Sequence, residues 1–239
     1  VSAADSLPDQ LRLDDLTFRV LRSPKRSTVG ITVERDGSLL LRVPEHAPRP
    51  HVEAWVRRKR PWVLDKLAKK DLLLARQPDR SFVSGEGFDY LGRRYRLKIA
   101  DDVESVHFAG GRIRMNPSVA QGPDPAAALI GWYTGRAHRR LPRRLRSWQE
   151  ATGLHPGSLH VRDLGYRWGS LGKNRRLNLH WAIMQLPLTV IDYVLVHELA
   201  HLAVADHSPA FWDQVRAVVP DYEKRKERLA VLGAQLWLG

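Results

Sequence analysis

The first readable pattern in the chain is apolar–polar alternation. Residues 28–34 and 38–43 alternate on either side of Arg35-Asp36-Gly37 and predict a β-hairpin, which Pro44 ends. Over 50–76 the period lengthens. Trp55, Val56, Trp62, Val63, Leu67 and Leu74 recur at helical spacing, and Pro61 predicts a break into two helical pieces. Alternation returns at 88–99 around Gly92 and at 106–115 around Gly110-Gly111. With the first hairpin these strands predict one antiparallel sheet. Prolines and a glycine in 116–125 read as a linker. Asp124 is placed to cap a helix with Pro125 at its first position, running to about residue 150 and closed by Thr152-Gly153; Pro142 interrupts it. Its apolar members include Leu129, Trp132, Leu141 and Leu145. Residues 158–164 and 175–179 read as strands joined through 166–174. An amphipathic helix follows over 188–204, with Ile191, Val194, Leu195, Leu199 and Leu202 on its buried face. Ser208 and Pro209 start the next helix, and 220–222 start the last. The fold class expected is α+β: an N-terminal antiparallel β-rich part, then a helical part with a small β-hairpin or sheet.

The 188–204 helix carries the chemistry. It contains His197-Glu198-Leu199-Ala200-His201. Histidines four apart share one helix face, so both imidazoles can reach one metal ion. Glu198 is placed to accept a proton from metal-activated water. His207 follows after a turn as a third candidate ligand. Three protein ligands and one open position make a catalytic site, not a structural one. The chain has no cysteine, so a thiolate site is excluded and a zinc ion would be held by His and carboxylate. The expected reaction is hydrolysis assisted by one Zn²⁺ per chain, with Glu198 as general base. Asp192, Asp206 and Asp213 are candidates to orient a ligand imidazole. The glycines of 169–172 do not form a phosphate loop: such a loop ending at Gly172-Lys173 needs glycine where Arg167 stands and Ser or Thr where Asn174 stands.

The net charge of +13, from 39 Lys+Arg against 26 Asp+Glu, favours acidic partners, nucleic acid first. Two basic helices carry much of it. One holds Arg57, Arg58, Lys59, Arg60, Lys66, Lys69 and Lys70. The other holds Arg136, Arg139, Arg140, Arg143, Arg144 and Arg146. The alternative for each is a solvated face. Residues 1–5 show no signal pattern, and the longest apolar region contains Asp192, His197, Glu198 and His201, so no membrane span is expected. The expected location is cytoplasmic.

Several motifs in order add to this: Arg167-Trp168-Gly169-Ser170, Leu177-Asn178, Pro187, 191–194 running into His197-Glu198-Leu199-Ala200-His201, His207-Ser208 with Phe211-Trp212, and Pro220-Asp221-Tyr222. Over 160–225 the chain resembles the YgjP-like zinc metallopeptidases, relatives of the SprT-like proteases among the zincins. The resemblance implies a zincin-like catalytic part, 121–239, after a β-rich part with a basic helix, 1–120. It implies zinc ligands at His197, His201 and His207 and a general base at Glu198. It also puts Arg167, Trp168, Gly169 and Ser170 beside the cleft, able to pair with an extended peptide. The chain departs from the family at Leu171, where Cys is usual, and at Asp206, where Asn is usual; neither removes a ligand. The histidine spacing also equals that of metzincins, but Val204 replaces their glycine and no methionine follows. The expected substrate is a peptide or protein. Two alternatives stay open: a metal-dependent hydrolase of nucleotides or other non-peptide substrates, and a protease that binds nucleic acid and acts on DNA-bound targets.

Overall fold

Two hairpins build the N-terminal sheet. In a computed structural model describing residues 7–33, 37–74, 80–165 and 167–237, β1 (Gln10–Leu13) pairs with β2 (Leu16–Ser23), and β3 (Gly30–Val33) with β4 (Leu39–Pro44). Arg35 and Asp36 of the expected turn, and Glu34 before it, lie outside the described residues. The hairpins join through β2 and β4, which run parallel, giving the order β1-β2-β4-β3. Helix α1 (Arg49–Leu74) follows; Val52, Val56 and Val63 belong to the same core as Phe18, Leu41 and Val43 of the sheet.

The expected break at Pro61 does not occur. Pro61 lies on the exposed face, and its missing N–H leaves only the carbonyl of Arg57 without its helical donor, on a face open to water. Buried Val56 and Val63 hold the two sides in line. Pro142 behaves the same way inside α3 (Pro125–Thr152): it faces solvent between buried Leu141 and Leu145.

A second sheet repeats the first design. Strands β5 (Gly87–Tyr90) and β6 (Arg93–Ile99) form one hairpin, β7 (Val106–Ala109) and β8 (Arg112–Met115) another, in the order β5-β6-β8-β7 with β6 and β8 parallel. The expectation of one antiparallel sheet is therefore corrected to two sheets, each with a parallel central pair. Hairpin signals in the sequence are local; which hairpins share a sheet is decided by packing. The chain divides into two compact units, Val1–Arg76 and Gln77–Gly239, so the second sheet lies with the helices that follow it, and the expected boundary at 120/121 falls inside the second unit.

In that second unit the expected linker holds one helical turn, α2 (Pro117–Ala120), capped by Asn116. Helix α3 begins and ends as expected: Asp124 accepts from the Ala127 N–H at 2.8 Å, and Gly153 closes it with φ 68°. A third sheet contains β9 (Ser158–Arg162), β10 (Gly169–Gly172) and β11 (Arg176–His180) in the order β10-β11-β9. The expected connection thus carries an edge strand of its own, although Tyr166 lies outside the described residues. Helices α4 (Leu188–Ala200), α5 (Pro209–Val218) and α6 (Tyr222–Gly233) complete the unit. Among the described residues, no helix is long and apolar enough to cross a membrane.

Helix α4 is not amphipathic. From Val190 to Val196 every residue is buried, as are Glu198, Leu199 and Ala200, so the helix lies within the core. Of its two buried carboxylates, Asp192 is paired directly. Arg144 of α3 grips the Asp192 carboxylate with two bonds of 2.5 and 2.6 Å, and the Trp148 indole donates a third at 2.8 Å. The start of α4 is fixed from the other side. The Leu91 and Gly92 N–H groups donate to the carbonyls of Met184 and Gln185 at 2.8 and 3.0 Å. Gly92 has φ +76°, and a Cβ there would lie 2.7 Å from Pro187, so this turn requires glycine.

Candidate metal centre

The last turn of α4 presents His197, Glu198 and His201. The chain then turns through 202–206, with the Val204 N–H bonded to the Ala200 carbonyl, and returns His207 before α5. One nitrogen from each of the three histidines lies within 4.8 Å of the others, and Nε2 of His207 is 3.1 Å from Nε2 of His197. Zinc–nitrogen bonds of about 2.0–2.1 Å in a tetrahedron put ligand nitrogens about 3.3 Å apart, so the spacing suits one shared ion. The residues present fit a metal with nitrogen ligands.

The surroundings set each ring. His201 Nδ1 donates to the Val204 carbonyl at 3.2 Å, which leaves Nε2 as the free electron pair. His197 Nδ1 is buried without an acceptor; its ring is held by the rings of Phe211 and Tyr193, 5.0 and 5.9 Å away. Burial first, then the neighbouring His201 and His207, pushes its pKa down to about 3, so His197 stays neutral and ready to ligate. Among the described residues none of Asp192, Asp206 and Asp213 bonds a ligand imidazole. Asp192 is committed to Arg144 and Trp148, and Asp213 to Arg216 at 2.8 Å.

His207 is the exposed member of the three. It stacks on Trp212 at 5.6 Å, and Trp212 stacks on Tyr222 at 5.2 Å with the Lys226 ammonium 4.3 Å from its ring. That column holds a ring which would otherwise sample many rotamers. Trp212→Ala is expected to weaken metal binding roughly 10–100-fold, and Trp212→Phe much less. Competition against a chromophoric chelator measures this; unchanged affinity in Trp212→Ala would remove the column from the site.

Glu198 is buried, and burial pushes its pKa up to about 7 against the opposing pull of Arg167. Its carboxylate lies against β10. A Cβ on Gly169 would fall 2.6 Å from Glu198 Oε1 and 2.7 Å from Cγ, so only glycine allows the strand this close. Two cavities of about 520 and 240 Å³ share Arg167, Gly169, His197 and Glu198. Ser170 lines the first together with His201 and His207, and Trp168 lines the second with Tyr193 and Leu229. The Arg167–Ser170 segment therefore sits beside the histidines.

Three supporting residues were given no role by the sequence: Asn178 was legible only as part of the Leu177-Asn178 motif, and His180 and Gly233 carried no signal. Asn178 Nδ2 reaches the Ser170 carbonyl at 3.3 Å and so steadies β10. His180 accepts from the Ala182 N–H at 3.0 Å and bonds Asp163 at 3.1 Å, with its ring 6.0 Å from Trp168. Gly233 of α6 leaves room for Trp168, whose ring a Cβ would meet at 2.7 Å. Tyr193, one turn before His197, was findable by helical spacing. Burial, with Tyr222 and Glu198 adding, pushes its phenol up to about 12.

No curated protein matches the chain. Among solved structures, the crystal structure of the metallopeptidase zymogen of Pyrococcus abyssi abylysin is similar, with 25% identity, a TM-score of 0.35, and coverage of 39% of this chain and 95% of that one. The description of the YgjP-like metallopeptidase domain matches residues 27–231, most of the chain, and the protein belongs to that family of metal-dependent hydrolases.

Proposed function

We propose that the chain is a zinc peptidase in which His197, His201 and His207 hold one Zn²⁺ and Glu198 is the general base. The observation that carries this reading is the convergence of three imidazoles on one point at the end of α4, beside a carboxylate buried one residue from the first of them. Zinc in that position would lower the pKa of water to about 7 and polarise a carbonyl oxygen. Glu198 accepts the water proton on a carboxylate oxygen and passes it to the leaving amine nitrogen. Burial, which raises Glu198 above the usual carboxylate range, strengthens it as a base for the first transfer. Among the described residues β10 is an edge strand of its sheet, so an extended peptide can add there as a further strand, with its scissile bond brought to Glu198. Tyr193 stays protonated through neutral pH and offers the cleft a hydrogen-bond donor.

The purified protein is expected to contain one equivalent of zinc, to lose it in His201→Ala, and to cleave unstructured peptides only when metal-loaded. Metal analysis and peptide turnover before and after chelation check this. Turnover of nucleoside triphosphates without peptide cleavage would sink the peptidase assignment while leaving the metal site standing.

A further inference from the structure

A groove of about 630 Å³ lies apart from the histidines and shares no lining residue with the two cavities around Glu198. One wall is a face of α3. Arg136, Arg139, Arg140, Arg143 and Arg144 recur three and four apart, so they form a single stripe. The one carboxylate on the lining, Asp192, is already committed to Arg144 and Trp148. Arg136 is fixed over the rings of Trp132, Tyr90 and Phe108 at 5.4, 5.6 and 6.0 Å. That leaves Arg139, Arg140 and Arg143, all exposed and with no carboxylate partner among the described residues.

The other basic helix differs. In α1, Arg49 and Arg57 pair with Glu53, and Arg60 pairs with Asp15. There the positive charge is partly neutralised within the unit. In the groove it is concentrated and left open, which costs the fold self-repulsion that an anion would relieve.

We propose that this groove binds the phosphate backbone of a nucleic acid. Every cation on its lining is arginine, whose planar fork meets phosphate oxygens with two hydrogen bonds. A row of cations whose Cβ atoms stand about 5–6 Å apart suits a ligand whose charge repeats along its length better than a single anion. An acidic polypeptide is the rival occupant. A helix face offers it no main-chain edge to pair with, so its carboxylates alone would have to hold it; a phosphodiester chain needs no such edge. The inference stands independently of the metal centre.

Fluorescence anisotropy with labelled single-stranded and duplex oligonucleotides tests it on the full, zinc-loaded chain. Three phosphate contacts predict a loss of affinity from about 50 to about 200 mM salt of roughly twentyfold for the single strand and roughly fortyfold for the duplex. The combined variant Arg139→Glu, Arg140→Glu, Arg143→Glu is expected to bind at least about tenfold more weakly with a flattened salt dependence, at unchanged zinc content. The matching triple Gln variant is expected to fall between, which guards against a folding defect caused by charge reversal. The proposal is overturned if neither oligonucleotide binds at low salt. It is equally overturned if the triple Glu variant binds as the wild type does, or if polyglutamate competes as well as the oligonucleotide, which would assign the groove to acidic polypeptides.

Discussion

Glu198→Gln is expected to bind zinc as tightly as the wild type and to hydrolyse peptides about 10²–10⁴ times more slowly. The amide matches the carboxylate in shape, so it fits the same space against Gly169. It also carries no charge to desolvate, and burial is the main force on this group. Folding and the three histidines should therefore be undisturbed. What the amide cannot do is accept a proton from water and return it to the leaving nitrogen. The loss should appear in kcat, with KM close to unchanged, because the proton moves only in the transition state. Zinc content and single-turnover peptide cleavage measured on the same preparation give the test. Comparable kcat in the two proteins would mean that another group moves the proton, and the role of Glu198 would have to be abandoned.

How far the sequence reading reached depended on the range of the interaction. The histidines four apart on one helix, the Asp124 cap, Pro125 at the first helical position and the closing Gly153 are local devices, and each is found where the spacing put it. Gly110-Gly111 likewise closes its hairpin. The failures are non-local. Pro61 and Pro142 read as breaks because propensity is counted residue by residue. Val56 and Val63, and Leu141 and Leu145, were legible as apolar helix members, but that their burial outweighs the proline between them is decided by packing. Asp192 read as a candidate to orient a ligand imidazole, yet its partners Arg144 and Trp148 lie 48 and 44 residues away. The parallel pairing of β9 with β11, and of β6 with β8, sets strand against strand across intervening chain in the same way. Strand β10 escaped for another reason: Gly-Ser-Leu-Gly has almost no apolar alternation, and its place in the fold is fixed by β11, by Asn178 and by the approach of Glu198.

That approach makes Gly169 the most exacting position outside the ligands and the base. Gly169→Ala is expected to lower kcat/KM about 100-fold while leaving the zinc stoichiometry intact. The added methyl would meet Oε1, Cγ and Cδ of Glu198 at 2.6, 2.7 and 2.8 Å, all well inside contact distance. Glu198 cannot simply swing aside: it is buried on a helix whose residues from Val190 to Val196 are packed in the core. Nor can β10 retreat easily, since it is paired with β11 from Gly169 to Gly172 and tied through Asn178 to Ser170. The carboxylate must therefore shift, and a displacement of about 1 Å at a proton-transfer group is enough to cost about two orders of magnitude. Overpacking of this kind also destabilises by about 1–3 kcal/mol, so the thermal midpoint should fall by a few degrees without loss of the folded state. The comparison with Glu198→Gln then separates two effects. In Gly169→Ala the base is present but misplaced, so the remaining activity should still depend on Glu198, and the double variant should be no more active than Glu198→Gln alone. Additive losses would show that Gly169 acts elsewhere in the cleft, on the peptide that adds to β10, rather than on the base.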